Sequence, residues 1–226
     1  MGISTISTTT PRPTTRRSWR SVVAELVSEA RPALRIVLAS ASPRRRELLA
    51  QIGLSFTVMP TDIDESERPD EDPVRYVRRL AVEKALAATA DDDTDVVIAA
   101  DTTVDVDGVI LAKPADDDDA RRMLRLLGGR AHRVHTGVAV RHAGVVVAEV
   151  CTSVVRFVPL SADLVEWYVG TGEPHGKAGG YGIQGAAALL VDGVEGSVTN
   201  VIGLPLALLD QLLAEAGVSL LGLLTP

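Results

Sequence analysis

Leu38-Ala39-Ser40-Ala41-Ser42-Pro43-Arg44-Arg45-Arg46-Glu47-Leu48-Leu49 is the stretch on which the reading of this chain turns. Ile36 to Ala39 is an apolar run of the length of a buried strand, and Arg44 to Gln51 has the composition of a helix. Between them, Ser42 is placed as N-cap and Pro43 as the first helical residue, where a missing N–H costs nothing. A strand feeding directly into a helix leaves free backbone N–H groups at the positive end of the helix dipole. Two hydroxyls, Ser40 and Ser42, and three guanidiniums lie beside them. Positive charge at a helix N-terminus opposes the dipole, so Arg44-Arg45-Arg46 is locally unfavourable unless an anion is bound. Arg takes phosphate oxygens in a bidentate fork. The junction therefore reads as an anion site.

Working outward, strands and helices interleave along the whole body. Leu54 to Met59 reads as a second strand, Asp72 to Ala88 as a helix, and Val96 to Ala100 as a short strand. Val104 to Ala112 reads as a hairpin turning at Asp107-Gly108. Asp116 to Leu127 is a helix with its acids in the first turn, where the dipole favours them. Strands over 131–142 and 145–158 turn near Ala143-Gly144, and Ser161 caps a helix to Val169. A Gly-rich loop, a strand over 187–192 and a helix over 205–216 complete the body. The pattern predicts an α/β fold: a mixed, partly antiparallel twisted sheet flanked by helices, with a ligand cleft. Residues 1–34 form an extension, a Ser/Thr-rich tail and a short amphipathic helix over 18–30, and residues 35–226 form the main domain.

Composition narrows the function. The net charge is 23 − 30 = −7, which argues against a general nucleic-acid binder, since that needs a basic face to displace counterions. No apolar run reaches the roughly 18 residues of a membrane span. A single cysteine, Cys151, allows no intrachain disulfide and points to a reducing, cytoplasmic setting; in its strand it reads as a small core residue. His132 and His135 lie three apart in a strand and face opposite sides, which argues against a shared metal. The acidic runs at Asp91 to Asp93 and Asp116 to Asp119 lack the alternating pattern of a calcium loop and read as solvated acids.

Four further segments carry candidate chemistry. Thr61-Asp62-Ile63-Asp64-Glu65-Ser66 is an acidic loop, and Glu83-Lys84 sits on the helix that follows. Asp101-Thr102-Thr103 ends an apolar strand, where α/β proteins gather ligand groups. Its carboxylate and that of Glu65 or Asp64 would share Mg²⁺ or Mn²⁺, which take hard oxygen ligands. Lys113-Pro114 adds a cation. In Gly176-Lys177-Ala178-Gly179-Gly180-Tyr181-Gly182-Ile183-Gln184-Gly185, the last glycines fit G-x-G-x-x-G. No strand precedes them, so this is not a dinucleotide fingerprint but a loop that approaches a ligand closely. Gln184 offers both a donor and an acceptor for the edge of a base.

In this order the five segments resemble the Maf family over about residues 35–216. The resemblance rests on Ser-x-Ser-Pro-Arg-Arg, Ala-Asp-Thr, Lys-Pro and Lys-Ala-Gly-x-Tyr-Gly-Ile-Gln-Gly together. It implies an inosine-triphosphatase-like fold and a pyrophosphatase that cuts nucleoside triphosphates to the monophosphate with a divalent metal. By the same resemblance Asp101 is the proton acceptor, and Glu65 with Asp101 holds the metal. Ser40, Ser42, Arg45, Lys84, Lys113 and Lys177 are the candidates to hold the triphosphate. Arg44, Thr102 and Gln184 match the positions that mark the branch acting on dTTP and UTP; the branch acting on 7-methyl-GTP carries Trp, Gln and Glu there. A homodimer is common in the family.

Two departures stand out: Gly176 replaces an Asp of many relatives, and residues 1–34 lie outside the family pattern. The alternatives are a 7-methyl-GTP pyrophosphatase, a nucleotide-sensing regulator of septum formation with little catalysis, and a binding module acting through the 18–30 helix.

Overall fold

The computed structural model describes residues 34–224 apart from 92 and 93, so the expected tail and the 18–30 helix lie outside the described residues. Strand β1 (Arg35–Leu38) leads through Ser40 and Ser42 into helix α1 (Pro43–Gln51), as the junction sequence predicts. Strand β2 (Thr57–Val58) follows, then α2 (Pro73–Ala87), β3 (Asp95–Val106), β4 (Val109–Leu111), α3 (Asp117–Leu127), β5 (Ala131–His142) and β6 (Val145–Phe157). Then come α4 (Ala162–Gly170), two 3₁₀ turns (Ala178–Gly180 and Ala186–Leu190), β7 (Val191–Glu195), α5 (Val198–Ile202), α6 (Leu206–Glu215) and α7 (Leu220–Leu224).

The seven strands form one mixed sheet in the order β2-β1-β3-β5-β6-β7, with β4 on the far half of β3. Pairing is parallel for β2, β1 and β3, and antiparallel beyond. The described residues cluster as one compact unit. On one face Val37, Ala39, Val97, Ala99 and Ala139 pack on Ala81 and Ala85 of α2. On the other, Ile36, Leu38, Ile98 and Val138 pack on α1 and α6, and Val104, Val134 and Val155 pack on α3 and α4. Among the described residues no helix is long and apolar enough to cross a membrane.

Several local expectations are corrected. The Val96–Ala100 strand and the first arm of the hairpin after it are one continuous strand, so Asp101 lies mid-strand rather than at an end; the hairpin itself turns at Asp107-Gly108 as expected. The cause is non-local: β5 pairs with β3 from Val97 to Asp105, straight through the polar Asp101-Thr102-Thr103, whose threonines suit a strand. What does end near Asp101 is β1, whose last pair with β3 is Leu38↔Ile98. Leu54 to Met59 contributes only the two residues of β2. The strand expected over 187–192 begins only at Val191, because the N–H groups of Ala186 and Ala187 are taken by the carboxylate of Glu173. Helices α5 and α7 were not foreseen, and Cys151 is half-buried rather than enclosed.

Helix α2 sits unusually close to the sheet. A Cβ at Gly137 would lie 2.2 Å from the Val77 carbonyl oxygen. Only glycine permits this approach. Gly137 is the β5 residue paired with Asp101, so the contact fixes α2 directly over the candidate site.

Candidate active site

A cavity of about 580 Å³ opens where β1 stops and β3 continues. Its wall includes Ser40, Ser42, Arg44, Arg45, Glu65, Lys84, Asp101, Thr102, Lys113 and Gln184. Ten of the eleven candidate residues are thus brought together from six separate stretches of chain. Lys177 is the exception. Its ammonium donates to the Glu173 carbonyl and it is absent from the wall.

The acidic end of the cavity is organised by Lys84, which projects from the inner face of α2 and is 7% exposed. Its Nζ donates to Asp101 Oδ1 at 2.6 Å and lies 2.6 Å from Glu65 Oε1. The second oxygen of Asp101 has no partner among the described residues. Burial pushes the Glu65 carboxyl up, but the hydrogen bond and charge of Lys84, with Lys113 and Arg45, outweigh it and hold the group below its ordinary value. Lys113 stands 4.0 Å from Glu65 Oε2 and is largely exposed. The loop that carries Glu65 is tied to α2 by several bonds: Tyr76 donates to the Glu65 carbonyl at 2.9 Å, Arg79 donates to the Ser66 carbonyl and to both oxygens of Glu71, and Arg68 donates to Glu83 at 2.8 Å. Tyr76 itself is pushed up to about 12 by burial, then by Asp101 and Glu65.

The basic end is the β1–α1 junction. Ser42 occupies the N-cap position, but its hydroxyl makes no capping bond, which leaves the first turn of α1 open as an anion site needs. The three arginines separate. Arg45 is buried; its Nε donates to the Gly203 carbonyl at 2.8 Å, one terminal nitrogen to Ser40 Oγ and the other to Thr102 Oγ1, each at 3.0 Å. Burial pulls Arg45 below its ordinary value, with the charge of Asp101 opposing. Arg44 faces the cavity with no hydrogen bond or ion pair among the described residues, also lowered by burial. Arg46 is exposed.

Thr102 passes the Arg45 contact on: its hydroxyl meets Thr136 Oγ1 at 2.9 Å, and Thr136 donates to the Asn200 carbonyl at 3.0 Å. Since Thr136 gives its proton to Asn200, the proton between the threonines belongs to Thr102. Thr102 therefore acts through this chain as well as at the wall. Fully buried Asn200 anchors the far end by donating to Val134 O and Ser153 Oγ.

The Gln184 loop has its own clasp. Glu173 accepts from Tyr168 at 2.9 Å, Ala186 N at 2.7 Å and Ala187 N at 3.3 Å. Its carboxyl stays below the ordinary range because these donors and Lys177 outweigh burial. A Cβ at Gly185 would lie 2.2 Å from Glu173 Oε2, and one at Gly182 would lie 2.8 Å from Lys177 Cε. Gly182 and Gly185 thus make room for Lys177 and Glu173. Gly176 adopts φ +71° with nothing within 4 Å of a built Cβ. Glu173, Tyr76, Thr136, Asn200 and Gly203 are all missed by sequence reasoning. Only the Glu173-Pro174 turn preceding the Gly-rich segment offers a signal, and it is weak.

Two carboxylates converge, and among the described residues no third His, Cys, Asp or Glu joins them as a metal cluster. Such a pair fits Mg²⁺ or Mn²⁺, which take one or two carboxylates and complete their shell with water and phosphate oxygens. Glu65 and Asp101 are the residues that would hold the ion.

An open α/β cleft with four cationic side chains, two carboxylates and a free helix N-terminus belongs to a binder of small polyanions equipped for proton transfer. The chain belongs to the Maf family: the family model described as Maf-like protein matches residues 35–216. A relative from Anaeromyxobacter sp. (strain Fw109-5), named dTTP/UTP pyrophosphatase, is 51% identical over 82% of this chain and 91% of its own length. One from Chromobacterium violaceum with the same name is 50% identical over 82% of this chain and 96% of its own. Among solved structures, the Ham1 protein of Staphylococcus aureus overlaps 54% of this chain and 71% of that one, at 17% identity and a TM-score of 0.40.

Proposed function

We propose that this chain hydrolyses nucleoside triphosphates, dTTP and UTP first among them, to the monophosphate and pyrophosphate, in the cytoplasm and with Mg²⁺ or Mn²⁺. The supporting observation is the convergence of Lys84, Glu65 and Asp101 at 2.6 Å beside a cationic cleft. The relatives' names and the placement of Arg44 and Gln184 in the cavity wall favour dTTP and UTP. The catalytic domain is residues 35–226, with 1–34 appended to it.

In this reading the α1 N-terminus, Ser42, Arg44 and Lys113 take the phosphates. Positioning and charge neutralisation are most of what phosphoryl transfer requires. Asp101 receives the proton of the attacking water on its unpartnered oxygen as a new P–O bond forms at the α-phosphorus. The bridging P–O bond breaks and pyrophosphate leaves. A divalent cation on Glu65 and Asp101 would supply further neutralisation of phosphate charge.

Pyrophosphate release from a panel of natural and modified triphosphates, with Mg²⁺ or Mn²⁺ and with EDTA, tests the reading. Metal-dependent release strongest with dTTP and UTP is expected. Asp101→Asn should lower the rate by about 10²–10⁴-fold while leaving the fold intact. Full activity in that variant would remove Asp101 from the mechanism.

A further inference from the structure

We infer that Lys84 is the resident counter-cation of Glu65 and Asp101, and that it yields them to a divalent cation only when a triphosphate draws its ammonium away, so that metal and nucleotide enter together. The inference rests on the proposed reaction for its ligands and on geometry for its logic. Lys84 Nζ holds Glu65 Oε1 and Asp101 Oδ1 at once, each at 2.6 Å. A divalent cation bridging the pair through these oxygens would take the place of the ammonium. An ammonium and a divalent cation repel at contact distance, so the two compete for these oxygens. Metal entry therefore requires Lys84 to leave.

Lys84 is the cation able to leave. Arg45 is fixed by three hydrogen bonds to Gly203, Ser40 and Thr102. Lys113 stands off at 4.0 Å from Glu65 and pairs with no other carboxylate among the described residues. Lys84 is a compact charge on a four-carbon stem and lines the cavity in which a triphosphate would lie. A phosphate oxygen can replace each carboxylate oxygen as its partner, and the freed carboxylates then face the metal. Without nucleotide, Lys84 closes the acidic pair and the protein holds metal weakly.

The test is Mn²⁺ binding to the full-length, nucleotide-free protein, followed by electron paramagnetic resonance at pH 8, above the ordinary carboxyl range. Lys84→Met should bind Mn²⁺ at least tenfold tighter than the wild type, while Lys84→Arg, which keeps the charge, should stay weak. Lys84→Gln carries the same expectation as Lys84→Met and replaces it where the methionine variant does not fold. The double variant Glu65→Gln/Lys84→Met should lose the gain, which locates it at this pair. A Lys84→Met protein no tighter than the wild type overturns the inference, and so does a gain that survives Glu65→Gln. The proposed reaction fails separately, if the wild type releases no pyrophosphate from any triphosphate.

Discussion

Gly137→Ala is the smallest change that bears on how α2 is mounted over the site. The added Cβ would lie 2.2 Å from Val77 O, 2.5 Å from Val77 C and 2.9 Å from Arg78 N, all backbone atoms of α2. No rotamer change relieves such a contact. Either α2 lifts by on the order of 1 Å or β5 bends away, and overpacking of this kind costs about 1–3 kcal/mol. The same movement reaches the chemistry, since α2 carries both Tyr76, which holds the Glu65 loop, and Lys84. A misplacement near 1 Å is enough to lower turnover by about 10²-fold. Urea denaturation measures the first effect and pyrophosphate release the second. Gly170→Ala is the control: nothing lies within 4 Å of its built Cβ, and at the end of α4 alanine should be neutral or add up to about 1 kcal/mol of stability. A Gly137→Ala protein with wild-type stability and turnover would refute the claim that glycine is required for α2 to sit where it does.

Glu173→Gln turns one acceptor of the Gln184 clasp into a donor facing N–H groups. It should cost about 1–3 kcal/mol of stability and raise KM for the preferred nucleotide about tenfold with kcat nearly unchanged; steady-state kinetics decide, and an unchanged KM removes Glu173 as a positioning residue. Acid should destabilise the fold through His132, whose burial lowers it from 6.5 to about 4. The unfolded chain then binds a proton that the folded one refuses, so stability is present above pH 6.5 and falls as pH drops toward 4, by about 2.5 kcal/mol at pH 4.5. Denaturant titrations at pH 7 and 4.5 should show that part of the slope missing in His132→Gln.

What the sequence makes legible is local. The N-cap, proline and apolar spacing around Ser42-Pro43 announce α1, and Asp116 caps α3 as its position implies, accepting from Asp119 N at 2.8 Å. The turns at Asp107-Gly108 and Ala143-Gly144 are announced by their glycines, and all four residues adopt positive φ. Most of the candidate site is legible because ten of its eleven candidate residues, all but Lys177, line one cavity from short motifs. What holds those residues is not legible, because it acts across the sheet. The continuity of β3 through Asp101 depends on β5, some 35 residues on, and the Arg45–Thr102–Thr136–Asn200 chain joins four separate segments. Gly137 is an ordinary strand glycine until α2 is laid against it.

The run Arg44-Arg45-Arg46 illustrates what three dimensions add. In sequence it is one basic patch awaiting one anion. On a helix, successive residues turn by about 100°, so three neighbours cannot face one ligand. Arg45 turns inward and becomes a bolt between the β1–α1 junction, β3 and the Gly203 carbonyl, while Arg44 turns to the cavity and Arg46 to solvent. The unfavourable charge at the helix N-terminus is thereby divided. One guanidinium is satisfied internally by neutral oxygens, one faces solvent, and one lines the cavity with no partner among the described residues. The same division explains how a chain of net charge −7 attracts a polyanion. Its acids lie mostly on outer surfaces, while Arg44 and Lys113 converge on one wall, where neighbouring cations focus the field that a polyanion meets.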